Sequence, residues 1–229
     1  VGMLLFAGAW VHSGLVRWHG FERHRLAAHA GDPAAVERAL QHAAFVTRWG
    51  LLRDLDNELE SARLHRAAGR ADAYEAGLRA VLAGAPERAF LHFELAEHLA
   101  LQGRNAESAE RFEFALALPE VDRIDPHRRS AAHFQIGVAA ALADDLDAAA
   151  AAFGAALAGD PDSVPIRENL AATLGRLAEG LLEAGRPEEA RKKAAAALEL
   201  DPGEARAAAV LSRVSLGFGP EPPPARSHD

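Results

Sequence analysis

The sequence predicts an all-α protein of antiparallel helix pairs stacked in a row, and three observations carry that prediction. Ala, Leu, Glu and Arg, all good helix formers, dominate the chain, while runs of Val, Ile and Thr that would suggest strands are missing. Small and aromatic residues recur along the C-terminal half at one step: 153 − 112 and 194 − 153 both give 41 for Phe112, Phe153 and Ala194. Ala115, Ala156 and Ala197 repeat that step, as do Pro161 and Pro202. Glycines and Asp-Pro pairs punctuate the apolar stretches where helices would stop and start. With 229 residues the chain is long enough to bury a sizeable core.

The chain opens with Val1–Val16, which holds no charged residue; Arg17 and Trp18 follow. Sixteen helical residues reach about 24 Å, short of the roughly 30 Å hydrocarbon core. Three readings compete: a membrane-spanning segment bounded by Trp10 and Trp18, a signal-peptide core, and a buried first helix. The first is preferred, which makes residues 1–18 a single-pass transmembrane anchor with Leu4, Leu5, Phe6, Trp10, Val11, Leu15 and Trp18 facing lipid. Arg17, Arg23 and Arg25 follow the segment and none precede it, so the positive-inside rule puts the rest of the chain on the cytoplasmic side. Cations in a preceding stretch would reverse this and make the location periplasmic.

Downstream, Asp32-Pro33 and Asp125-Pro126 each set a capping carboxylate before a proline at the first helical position. Asp72 with Glu75 has the spacing of a capping box, and Asn105 and Asp145 are further cap candidates. Gly69, Gly103 and Gly185 fall where a left-handed residue would end a helix. Residues 205–217 read as a last covering helix, and 218–229, with PEPPP at 220–224, as a Pro-rich flexible tail.

Three segments share a pattern of residue types. One reads His133-x2-Ile136-Gly137-x2-Ala140, then Ala149-x3-Phe153 and Pro161. The next reads Leu174-x2-Leu177-Ala178-x2-Leu181, then Ala190-x3-Ala194 and Pro202. The preceding one reads His92-x2-Leu95-Ala96-x2-Leu99, then Ser108-x3-Phe112, with Glu120 in place of the proline. This resembles the tetratricopeptide repeat (TPR), whose first helix carries Trp-x2-Leu-Gly-x2-Tyr and whose second carries Ala-x3-Phe before a closing Pro. The resemblance covers residues 87–204 and fades over 19–86, which read as degenerate helical repeats with Tyr74 where a small residue is expected. It implies a TPR-like α-solenoid of antiparallel helix pairs.

Several chemistries are excluded or unsupported. A net charge of −8 and pI near 5.8 argue against nucleic acid as a partner. The absence of cysteine removes disulfides, thiol catalysis and Cys-ligated zinc. The closest histidine spacings are 5 (His19, His24, His29) and 6 (His92, His98 and His127, His133), unlike the three or four a helical metal site needs. No nucleophile elbow, P-loop or dinucleotide fingerprint occurs, so no catalytic residue, metal or cofactor is assigned. The acidic cluster Asp144, Asp145, Asp147 reads as a helix cap, and His133 as a packed histidine.

In the resembled family the first helix of each repeat lines a groove for a peptide or partner helix. Carried over, that side comprises Phe90, Phe93 and Glu97, then Phe134, Gln135 and Val138, then Gly175, Arg176, Glu179 and Glu183. The aromatics read equally well as inter-helix core. Members that grip a terminal carboxylate use Lys, Asn and Arg there, and Phe93 and Glu97 argue against that ligand. The resemblance therefore implies a non-enzymatic protein-interaction scaffold; with the apolar segment it becomes an accessory or assembly subunit of a membrane protein complex. The alternative is the C-terminal repeat region of a polytopic envelope enzyme such as a glycosyltransferase or polymer ligase.

Overall fold

The computed structural model describes residues 2–27, 31–50 and 54–216, with side chains in the first helix from 12 to 26. Among them every regular element is helical: α1 (Gly2–Ala27), α2 (Pro33–Trp49), α3 (Leu55–Ala67), α4 (Ala71–Gly84), α5 (Ala89–Leu101), α6 (Asn105–Leu116), α7 (Pro126–Leu142), α8 (Leu146–Gly159), α9 (Val164–Glu183), α10 (Pro187–Leu200) and α11 (Ala205–Ser215). A short 3-10 turn over Pro119–Arg123 links α6 to α7. The chain divides into two compact units, residues 1–95 and 96–229.

In the second unit α7 packs on α6 and α8, α9 on α8 and α10, and α11 covers both α9 and α10. Its core is rich in alanine: Ala149, Ala171, Ala178, Ala190, Ala194, Ala197 and Ala207 surround Phe153, Leu170, Leu174 and Leu182. Alanine lets helix backbones approach closely, and Gly137 takes this furthest. A Cβ there would sit 2.6 Å from the Phe153 ring, so the glycine is the socket for that side chain. Ser108 and Ser130 are buried, and each hydroxyl donates to a helix carbonyl, Ala96 O at 2.8 Å and Ala156 O at 2.6 Å, so neither is an unsatisfied polar group.

In the first unit α1 packs on α2, α2 on α3, and α3 on α4. Its join is polar as well as apolar. Buried Asn57 accepts from Arg23 Nη1 at 2.6 Å and donates to Thr47 Oγ1 at 2.9 Å, linking α1, α2 and α3. Leu26, Val36, Ala39, Leu40 and Leu64 form the apolar part.

The turns follow the predicted residues closely. Gly69, Gly103 and Gly185 have φ of 72, 75 and 74°, and the position one 41-residue step before Gly185 is Asp144, at φ 62°. In each turn the next backbone N–H reaches back to close the helix, as Arg104 N does to Leu99 O at 3.0 Å and Asp145 N to Ala140 O at 2.9 Å. Asp32, Asp125 and Asp145 cap α2, α7 and α8 through backbone N–H donors as expected. Two expected caps differ. The residues after Gly69 and Gly103 are Arg70 and Arg104, and the helices begin directly behind them, so Asp72 and Asn105 lie inside the first turn. Asp54 and Glu204 cap α3 and α11 instead, accepting from Asn57 N and Ala207 N.

The structure does not show the expected transmembrane anchor over 1–18. Among the described residues no helix is long and apolar enough to cross a membrane. The reason is local: α1 continues without a break past Val16 into Arg17, His19, Glu22, Arg23, His24 and Arg25, so the apolar run is only the first part of a mixed helix. Leu26 is buried within the first unit's core, and His19 stacks on Phe45 of α2 at 3.8 Å. The side chains of Leu4, Leu5, Phe6, Trp10 and Val11 lie outside the described residues; Leu15 and Trp18 are exposed. The expected tail over 218–229 is also outside them, as is Gly217 at the end of the expected covering helix.

Candidate docking cleft on the first helices of successive repeats

Within the second unit a cleft of about 290 Å³ opens between α5 and α7, with α6 beneath. Its walls are Glu97, Ala100 and Leu101 of α5, Phe112 of α6, and Arg128, Ala131 and Gln135 of α7. Asp125 and Pro126 start α7 so that Arg128 falls in its first turn, facing α5. There Arg128 Nε and Nη2 both donate to Glu97 Oε1, at 2.9 and 2.8 Å. Both side chains stay about two-fifths exposed, so the pair forms a polar rim and contributes little to stability. Leu101 is 88% exposed, an aliphatic side chain presented to solvent at the cleft edge.

Comparable ion pairs join other successive first helices and turns. Arg63 of α3 pairs with Glu94 of α5 within the first unit, and Arg176 of α9 pairs with Asp144 at 2.5 Å within the second. Each spans about one repeat in sequence.

The residues expected to line a groove separate into distinct environments. Phe93 is wholly buried, so it belongs to the core and is not a ligand anchor; Phe90, in the same first unit, is half-buried. Phe134 is half-buried with its ring 5.6 Å from Phe153, and Val138 packs on the same core. Glu97 and Gln135 line the cleft. Arg176 is engaged by Asp144, Gly175 lies against the Glu204 carboxylate, and Glu179 and Glu183 lie further along α9, partly and fully exposed. Ala100, Leu101, Phe112, Arg128 and Ala131 also line the cleft and were not among the expected groove residues. Two signals could have found Leu101 and Arg128: an apolar residue just before the Gln102-Gly103 turn, where a solvated one is expected, and a Glu–Arg spacing of one repeat.

The cleft combines an apolar floor with a charge-paired rim. Its lining has no hydroxyl, thiol or imidazole, and its one carboxylate is already tied to a guanidinium, so it offers neither nucleophile nor free base. Among the described residues no three His, Asp or Glu side chains gather as metal ligands. His133 is held neutral to lower pH than usual, first by burial and then by the Arg129 charge.

Known structures place this arrangement. MamA (AMB-1) superposes with a TM-score of 0.58 at 21% identity, over 84% of this chain and 97% of MamA. MamA 41-end from Desulfovibrio magneticus RS-1 gives 0.55 at 14%, over 83% and 97%. YrrB, described as a TPR protein with an unusual peptide-binding site, gives 0.53 at 18%, over 81% and 88%. The chain has the tetratricopeptide-repeat fold. No protein-family model and no curated protein matches the sequence, so the likeness is one of fold. The TPR fold gives the cleft its meaning: α5, α7 and α9 are the first helices of successive repeats, and the cleft is the gap between two of them.

Proposed function

We infer that this chain is a non-enzymatic scaffold that docks a protein partner on the first-helix side of its repeats. The observation that carries the reading is the α5–α7 cleft, where exposed Leu101 stands beside a polar rim of Glu97, Arg128 and Gln135. An extended or helical partner segment would lay an apolar side chain over Leu101 and Phe112 and satisfy the rim with its own polar groups. The peptide-binding site of YrrB, a protein of the same fold, supports this use. The finer reading is an accessory or assembly subunit of a membrane protein complex, with the repeats on the cytoplasmic side; the uncharged stretch Val1–Val16 and the arginines after it support it.

The test fills the cleft. Ala131 is exposed, so Ala131→Arg and Gln135→Arg leave the core intact while occupying the cleft. Native purification followed by quantitative mass spectrometry should show a stoichiometric partner with the wild type. The variants should lower its affinity tenfold or more, about 1.4 kcal/mol. Full retention by both folded variants would remove the cleft as the docking site.

A further inference from the structure

The first helix pair carries large apolar side chains that no other described element covers. Trp18 and Phe21 of α1 are 51 and 65% exposed and Trp49 of α2 is 50% exposed, with Leu15 beside them on α1. The rings connect into a strip across both helices. Trp18 meets His42 edge-on at 5.5 Å, His19 stacks on Phe45 at 3.8 Å, and Phe45 lies 6.3 Å from Trp49. An exposed helix face in a repeat array is ordinarily polar. Here the first helix pair turns out tryptophan and phenylalanine.

Charge identifies what this face suits. Residues 1–50 hold five arginines and three carboxylates, a surplus of two positive charges. The whole chain is at −8, so residues 51–229 are at −10. The positive surplus sits among the aromatics: Arg17 is exposed on α1, and the Arg48 guanidinium lies 5.7 Å from the centre of the Trp49 ring. Arg25 is engaged by Glu22 at 2.7 Å. Exposed Trp and Phe interleaved with arginine, on a helix with no charged residue before Arg17, match the polar–apolar boundary of an anionic bilayer. Indole rings settle at headgroup depth there, and cations meet lipid phosphates.

We propose that the α1–α2 face, through Leu15, Trp18, Phe21 and Trp49 with Arg17 and Arg48, docks on the surface of an anionic membrane, lying in the interface without crossing it. Among the described residues no helix is long and apolar enough to cross a membrane, whereas interfacial docking needs only one apolar face and nearby cations, and both are present. The inference rests on the membrane-associated reading above but not on the α5–α7 cleft, so failure of either leaves the other standing.

All three tryptophans of the chain, Trp10, Trp18 and Trp49, lie in this helix pair, so intrinsic tryptophan fluorescence reports on these two helices. The full chain would be mixed with vesicles of phosphatidylcholine containing about one-third phosphatidylglycerol, and with pure phosphatidylcholine vesicles, then assayed by flotation and emission. Expected is flotation with the anionic vesicles, a blue-shifted emission, and weakening as salt screens the arginines. Trp18→Ala/Phe21→Ala should lower partitioning at least tenfold with unchanged helicity, and Arg17→Glu/Arg48→Glu should abolish the preference for anionic lipid. No flotation of the wild type, or equal flotation of wild type and the Trp18/Phe21 variant, overturns the proposal. So does a concentration-dependent dimer that the same variant dissolves, since a second copy would then own the face.

Discussion

The second unit and the first solve one packing problem with different chemistry. Between α7 and α8 a phenylalanine enters a glycine socket, Phe153 against Gly137, and around it the facing helices present alanine after alanine. Between α1, α2 and α3 the buried centre includes an asparagine that bonds to an arginine on one helix and a threonine on another. The 41-residue step holds in the region of small residues and fades in the other. Close backbone approach demands a particular residue type at each position, so it leaves a period in the sequence. A hydrogen-bond network demands only that donors and acceptors meet, and it leaves none.

That contrast breaks most visibly at Phe153. Phe153→Ala should cost about 3–5 kcal/mol, and Gly137→Leu should be comparably disruptive, because the ring has no room to retreat. Urea unfolding should show the loss as a lower midpoint at unchanged slope. In the first unit Asn57→Leu should cost about 1–3 kcal/mol by taking the acceptor from the part-buried Arg23 guanidinium, with thermal unfolding as the readout. A cost near zero would mean that the network merely accompanies apolar packing.

The turns sharpen the comparison at smaller amplitude. Asp144 holds the left-handed position that glycine fills at 69, 103 and 185. Asp144→Gly should stabilise by up to about 1 kcal/mol, since relief of the backbone outweighs loss of an exposed ion pair to Arg176. Asp144→Ala loses the pair, keeps the strain, and should destabilise by about 1 kcal/mol. Opposite signs for the two variants are the check.

The smallest effect is pH dependence. Burial comes first in lowering the pKa of His133, His65 and His19; Arg129, Arg70 and His42 respectively add to it, while Glu37 partly opposes it at His65. A folded value below the ordinary 6.5 means the neutral form is favoured in the native state. The stability it brings is whole above pH 6.5 and is lost as pH falls through the folded value. The melting temperature should therefore fall as pH drops below 6.5, and His133→Leu should flatten that fall. An unchanged slope would assign it to other groups.

The legible part of this molecule was the part governed by close approach. Gly69, Gly103 and Gly185 marked the turns, and Ala96, Gly137 and Ala178 marked the tight faces, because only certain residues fit such sites. Docking residues leave no such trace. Phe93 and Leu101 are both apolar residues on α5, yet the first is wholly buried and the second almost wholly exposed, since burial depends on which side of the helix its neighbours occupy. Glu97 and Gln135 were placed by the repeat pattern, whereas Arg128 belonged to a dibasic run that reads as an ordinary solvated face. Trp18 was expected at a membrane interface; the structure shows it exposed on a helix that continues into Arg17, Arg23 and Arg25, so the uncharged run is only part of a mixed helix.

Site-specific photocrosslinking in the native cell tests the docking assignment most directly. A photoreactive side chain would replace Leu101 or Gln135 in the cleft and, as a comparison, Phe114 on the exposed part of α6. The account predicts one partner adduct from both cleft positions and none from Phe114. An adduct from Phe114 with none from Leu101 or Gln135 would contradict it and move the partner to the second helices of the repeats.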